Sequence, residues 1–207
     1  MIDGIMRRLV GPPLDAAGAR MAAAGISADM VTLVGAAAAV GCGAAIAAGH
    51  FVPALGLLAL SRLCDGLDGA IARRARLSDV GGFLDIVCDF VFYAAVPLGF
   101  ALHQPANGLA AAVLLASFYL NAASFLGFAI LAAKRGMTTE VRGAKSLYFT
   151  TGLAEGTETI AVFVAMLVWP PLFALLAYGF AALCLVTCLA RVRLAMQVFR
   201  GEPEAGR

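Results

Sequence analysis

The 207 residues are 62% hydrophobic and 14% charged, and a mean hydropathy of +0.91 excludes an ordinary soluble domain. A formal net charge of +2 says little by itself, because its distribution is what matters; no nucleic-acid partner is expected. The chain reads as an integral membrane protein whose few charges are informative by where they fall.

Residues 1–28 form a cytoplasmic juxtamembrane segment, too charged and too short of an apolar core for a cleaved signal peptide. Pro12-Pro13 followed by "LDAAGARMAAAG" predicts a short helix lying on the cytoplasmic face; an ordinary connecting segment is the plainer alternative. Beyond it, residues 30–49, 107–133 and 159–190 contain no Asp, Glu, Lys or Arg, and a spanning helix needs about 20 mostly apolar residues. The last of these runs is broken by Trp169-Pro170-Pro171, an interfacial aromatic followed by a helix-breaking pair. The pattern predicts an all-α integral membrane fold of six transmembrane helices, at roughly 29–49, 51–75, 80–101, 107–134, 146–168 and 171–194. They make one catalytic domain over residues 29–195, followed by a polar tail, 196–207.

Orientation follows from the basic residues. Arg7, Arg8, Arg20, Arg73, Arg74, Arg76, Lys134, Arg135, Arg142, Lys145, Arg191, Arg193, Arg200 and Arg207 all fall at same-side ends of these helices. The opposite connections, around His50, 103–107 and 169–171, carry none. The termini therefore face the cytoplasm, as in a bacterial inner membrane. The five cysteines, at 42, 64, 88, 184 and 188, lie within predicted spans without CxxC spacing and read as small buried side chains. Asn121, in the fourth span, reads as a helix–helix hydrogen bond.

One stretch breaks the apolar pattern. "DGLDGAIARRARLSDVGGFLDIVCD", residues 65–89, holds five aspartates and three arginines. On a helix with Asp65 at zero, Asp68, Ala72, Gly69, Arg62 and Arg73 share a face of roughly 140°, and Gly81, Asp85 and Asp89 share another. The short basic connection predicts that the two helices are antiparallel neighbours, so that Asp65, Asp68, Asp85 and Asp89 converge near the cytoplasmic boundary. An acid at a helix centre costs about 2.5 to 3.5 kcal/mol even on the mild insertion scale, so a cation should compensate them. All-oxygen donors favour Mg²⁺ or Mn²⁺ over zinc, and two such ions about 3.5 to 4 Å apart suit phosphoryl transfer. Arg73 can grip phosphate, while Gly69 and Gly81 let a bulky phosphate approach. A network of Asp and Arg pairs that only fixes helix packing is the structural alternative. A divalent-cation transporter is the rival of another class, although a cation pathway has no reason to contain Gly69, Arg73 and Gly81.

These residues resemble the signature of the CDP-alcohol phosphotransferases, D-x2-D-G-x2-A-R, spacer, G-x3-D-x3-D. Asp65, Asp68, Gly69, Ala72, Arg73, Gly81, Asp85 and Asp89 match it, with a spacer of seven residues where eight is common. The resemblance implies six transmembrane helices, a homodimer, and a dimetal site reached sideways by lipid from the bilayer. It implies Asp65, Asp68 and Asp85 as metal ligands, with Asp89 completing the cluster and acting as general base. It further implies that Gly69, Ala72, Arg73 and Gly81 contact the CDP group. "ISADMVT", residues 26–32, is similar to the segment that opens the first helix in many members, which makes Asp29 and Thr32 candidate nucleotide contacts; helix capping is the alternative.

The implied reaction transfers phosphatidyl from CDP-diacylglycerol to a small polar alcohol, releasing CMP. The variant within the family moves a phosphoalcohol from a CDP-alcohol to diacylglycerol. Acceptor specificity should lie in residues 133–159, where Lys134, Arg135, Arg142 and Lys145 can bind phosphate or anionic headgroups; positive-inside charge alone also accounts for them. Members that use glycerol phosphate or inositol phosphate often show an "RAEG"-like segment after the fourth helix, and none follows it here. Glu158 lies about 15 Å along the fifth span from Trp169, with Glu155 one turn beyond. An acid at that depth is a functional candidate, or a partner for an arginine such as Arg62.

Overall fold

The computed structural model describes residues 2–74, 78–137 and 156–200, with side chains from Val10 onward. Described residues form α1 (Ile2–Ala23), α2 (Ala28–Ala47), α3 (Phe51–Ala72), α4 (Asp79–His103), α5 (Gly108–Lys134), α6 (Gly156–Val168) and α7 (Phe173–Phe199). Short 3-10 turns at Pro105–Asn107 and Pro170–Leu172 introduce α5 and α7.

The ends of these helices are set by local chemistry. Ser27 accepts a hydrogen bond from the Met30 amide at 3.2 Å and Ser78 accepts one from the Gly81 amide at 2.9 Å, satisfying donors that a helix start leaves free. Gly25 and Gly49, at φ of 80° and 79°, end α1 and α2. Their left-handed backbone lets the Ile26 amide donate to the Met21 carbonyl and the His50 amide to the Ala45 carbonyl. The Trp169-Pro170-Pro171 break falls between α6 and α7, as the sequence requires.

α2, α4 and the segments Pro105–Lys134 and Pro170–Phe199 are long and apolar enough to cross a membrane. α3, at 22 residues, is about 33 Å long but carries Arg62, Asp65 and Asp68; α6 is described over 13 residues. Val52, Leu102, Leu109, Tyr119 and Leu175 are each at least 70% exposed, an apolar exterior suited to hydrocarbon. Inside, Phe92, Phe100, Phe163, Phe173, Leu114 and Met166 are fully buried, with Phe100 and Phe173 stacked at 4.3 Å between centroids. In lipid such packing depends on close contact, since transfer from water supplies nothing between spans.

Small residues make that contact possible. A Cβ on Gly35 would lie 2.9 Å from the Cβ of Cys64 in α3, and one on Gly43 would lie 2.6 Å from the Ala95 carbonyl oxygen of α4. α2 is thus wedged along both α3 and α4. α2 is the common backing of α3 and α4, which are neighbours as the sequence predicts: they touch through Phe51, stacked on Phe100 at 5.8 Å, and through the Arg62 side chain, which reaches Asp89 and Phe92.

Two expectations change. The N-terminal helix does not start after the prolines but runs through Pro12 and Pro13 from Ile2. Proline withholds an amide yet keeps a helical φ, and contact with α3 holds the segment. A Cβ on Gly18 would lie 2.6 Å from that of Ala70, and Leu14 meets Gly66. At the other end α7 continues to Phe199, past the predicted limit of 194, because Arg135 donates to the Val198 and Phe199 carbonyls at 3.4 and 2.8 Å that the helix end would leave unpaired.

Gly43→Ala is expected to lower stability by about 1 to 3 kcal/mol, because the added methyl meets rigid backbone. Gly56→Ala, with nothing within 4 Å of the new carbon, should raise it by about 0.5 to 1 kcal/mol. Unfolding midpoints in detergent check both signs.

Candidate active site

Three helices contribute to one cleft. The capped start of α2 supplies Thr32, with Gly35 and Ala36 one turn on; α3 supplies Ser61, Arg62, Asp65 and Asp68; α4 supplies Asp85, Cys88 and Asp89. Because α2 holds α3 and α4 slightly apart, the two acidic stripes face each other across open space. All four predicted aspartates therefore line one volume.

Their surroundings differ. Asp68 is 6% exposed and accepts a hydrogen bond of 2.5 Å from the Thr32 hydroxyl, whose other neighbour is the Ala28 carbonyl at 3.1 Å. Asp89 accepts from Arg62 Nη1 at 3.0 Å, and the same nitrogen lies 3.7 Å from Asp65 Oδ1. Asp85 is exposed to the cleft. Four like charges at this spacing repel one another, and Arg62 answers only part of that charge.

Among the described residues no group of three or more acidic, histidine or cysteine side chains is gathered closely enough to hold a metal ion. The donor chemistry nevertheless fits a hard divalent cation. All four groups are carboxylates on the faces of two helices that end at the same level, and the lining contains no histidine.

The other predicted residues are placed as follows. Gly81 opens α4 beside Asp29, whose Oδ1 lies 3.0 Å from where a Gly81 Cβ would stand, so these two candidate nucleotide contacts adjoin. Gly69 and Ala72 lie on the last turns of α3. Arg73, at its end, is exposed and turned to Asp15 of α1 at 2.7 Å. Lys134 is exposed at the end of α5, while Arg135 caps α7. Arg142, Lys145 and Glu155 lie outside the described residues. Glu158, in the first turn of α6, has a buried Oε2 without a hydrogen-bond partner among the described residues. Asn121 makes the expected interhelical bond, its carbonyl and Oδ1 accepting from Arg191 Nη1 at 3.0 and 2.9 Å.

Sequence reasoning missed Ser61, Asp15 and the position of Arg62. The helical wheel places Arg62 on the aspartate face, yet its partner is Asp89 on another helix, which no spacing within α3 reveals. Asp15 had no signal, because α1 was read as lying apart from the spans.

A family model described as CDP-alcohol phosphatidyltransferase matches residues 26–190. The chain is 48% identical over 169 residues to a protein called inner membrane protein YnjF from Escherichia coli (strain K12), covering 81% of this chain and 82% of that one. Its fold is similar to that in a crystal structure of Mycobacterium tuberculosis phosphatidylinositol phosphate synthase (PgsA1) with CDP-DAG bound. The TM-score is 0.64 at 21% identity, over 88% of this chain and 93% of the other.

Thr32→Val is expected to lower stability by about 1 to 3 kcal/mol, because buried Asp68 loses its hydroxyl donor. Thr32→Ser should restore most of the loss; chemical unfolding without divalent ions measures it.

Proposed function

The chain belongs to the CDP-alcohol phosphatidyltransferase family, and we propose that it transfers phosphatidyl from CDP-diacylglycerol to a small polar alcohol, releasing CMP. The observation that carries this reading is the cleft itself, where four carboxylates from α3 and α4 line one volume with Thr32 of α2. The placement of Asp29 against Gly81 adds support.

In this reading α2 to α7 are six spans. α3 tolerates its charges because they face the cleft, and α6 is counted as the fifth span. Under the positive-inside rule, basic residues gathered at one end support a site at the cytoplasmic face, with α1 along the end of α3. The E. coli relative's description as an inner membrane protein supports the same membrane here.

Asp65, Asp68 and Asp85 would hold Mg²⁺ or Mn²⁺, which when bound supplies charge neutralisation for the diphosphate. Thr32 fixes the Asp68 carboxylate, and Arg73 binds phosphate after leaving Asp15. Asp89 accepts the acceptor's hydroxyl proton as its oxygen bonds to the lipid-linked phosphorus and the bond from that phosphorus to CMP breaks. Glu158, whose Oε2 has no hydrogen-bond partner among the described residues, and the basic residues Lys134, Arg142 and Lys145 would shape the acceptor end.

Purified protein with Mg²⁺ or Mn²⁺, CDP-diacylglycerol and a panel of alcohols and alcohol phosphates should release CMP together with a new phospholipid. Asp89→Asn should keep nucleotide binding and lose turnover by about 10²- to 10⁴-fold. Release of CMP only when a CDP-amino alcohol meets diacylglycerol would reverse the donor. No CMP from any pair, with ion flux in liposomes, would replace the enzyme by a transporter.

A further inference from the structure

Arg73 closes α3, its amide donating to the Gly69 carbonyl at 3.1 Å, and its side chain runs back along the helix. Nη1 lies 3.4 Å from where a Gly69 Cβ would stand, so the missing side chain leaves room for the guanidinium. Nη2 donates to Asp15 Oδ1 of α1 at 2.7 Å. Among the described residues this is the one polar tie between side chains of α1 and α3.

The neighbours of Asp15 hold it at that place. A Cβ on Gly18 would lie 2.6 Å from that of Ala70, and one on Gly66 would lie 2.7 Å from Leu14 Cδ1. These contacts are one turn apart on each helix, and Leu14 and Gly18 flank Asp15 in sequence. The register of α1 against α3 is therefore set by shape, and the carboxylate is delivered to the guanidinium by that register.

The pair itself does little for stability. The Arg73 and Asp15 side chains are 59% and 47% exposed, and an ion pair so open to solvent contributes little. Its consequence for anion binding is larger. A guanidinium keeps its charge in a protein and presents a fork suited to phosphate oxygens. A carboxylate at 2.7 Å takes up one arm of that fork and offsets its charge. A diphosphate brings more charge and more acceptor oxygens than one carboxylate, so it can draw the fork away from Asp15.

We propose that Asp15 is a positioning residue that acts through Arg73 as a built-in competitor of the donor's diphosphate. It holds the guanidinium beside Gly69 between turnovers, yields it when a diphosphate arrives, and takes it back as CMP leaves. This rests on the reaction proposed above. Asp15 exchanges no proton and forms no bond to phosphorus; one ion pair replaces another.

The test measures binding of CDP with Mn²⁺ to the full chain in detergent by titration calorimetry, alongside KM for CDP-diacylglycerol. Asp15→Asn should bind CDP about two- to fivefold tighter, the factor that an exposed ion pair is worth, and should lower KM by a similar factor. Asp15→Glu keeps the competing carboxylate and should stay near wild-type affinity. In an Arg73→Gln background the gain from Asp15→Asn should vanish, because the competition runs through that guanidinium. A pair that serves only to dock α1 predicts the opposite sign, with CDP binding weakened along with the unfolding midpoint. The inference is overturned by unchanged or weaker CDP binding in Asp15→Asn, or by a gain that persists in the Arg73→Gln background. Should Asp15→Asn not fold, hydrogen exchange of the wild-type protein decides. Amides 14–20 of α1 should exchange about two- to fivefold faster once CDP and Mn²⁺ are bound, and unchanged or slower exchange refutes the release. A wild-type protein that neither binds CDP nor releases CMP would refute the reaction itself, which separates the two failures.

Discussion

Carboxylates gathered in an apolar helix bundle need countercharge, and the half of this protein that holds the cleft is organised around that need. Asp65, Asp68, Asp85 and Asp89 face one cleft, where repulsion between them is weakly screened. Two of them share Arg62, one is held by the Thr32 hydroxyl, and Asp85 remains open. In the proposed reaction, the negative charge left uncompensated would draw a divalent cation into the cleft and, through it, a diphosphate.

That arrangement depends on the apolar half. Gly43 of α2 and Gly99 of α4 approach so closely that a Cβ on Gly99 would lie 2.6 Å from the Gly43 carbonyl oxygen, and the stacked Phe100 and Phe173 fill the space beyond. Contact at that end lets α3 and α4 stand apart at the other without collapsing onto each other. A bulkier α2 would move both acidic stripes. The glycines and alanines that look featureless in sequence therefore set the width of the site.

The all-helical membrane character was legible because hydrocarbon demands long uncharged runs, and the Trp169-Pro170-Pro171 break was legible because proline cannot donate. Family membership was legible because the eight signature residues are spaced by helix geometry along two elements. Relations between elements were harder to read. The wedge of α2 between α3 and α4 depends on the backbone approach at Gly35 and Gly43, and hydropathy does not register it. The Arg62 to Asp89 bond and the Asp15 to Arg73 pair join residues 27 and 58 positions apart, beyond any helical period. The helix through Pro12-Pro13 reflects tertiary contact with α3 overriding a local break signal, and the extension of α7 to Phe199 reflects a cap supplied by Arg135 from another helix.

The same division bears on specificity. The signature aspartates Asp65, Asp68, Asp85 and Asp89 lie on α3 and α4, in a form that short-range spacing can specify, and in the proposed reaction they serve the CDP donor. Away from the cleft, α5 and α7 are tied by Arg191 to Asn121 and Ser124 and by Arg135 to the end of α7. These bonds use backbone carbonyls and short polar side chains, so the helices they join can vary in their remaining residues without loosening the bundle. In the proposed reaction, such a scaffold would keep its phosphorus chemistry while the group that receives the lipid changes. The signature therefore identifies the reaction class, and the identity of the alcohol must be sought on the α5 to α7 side.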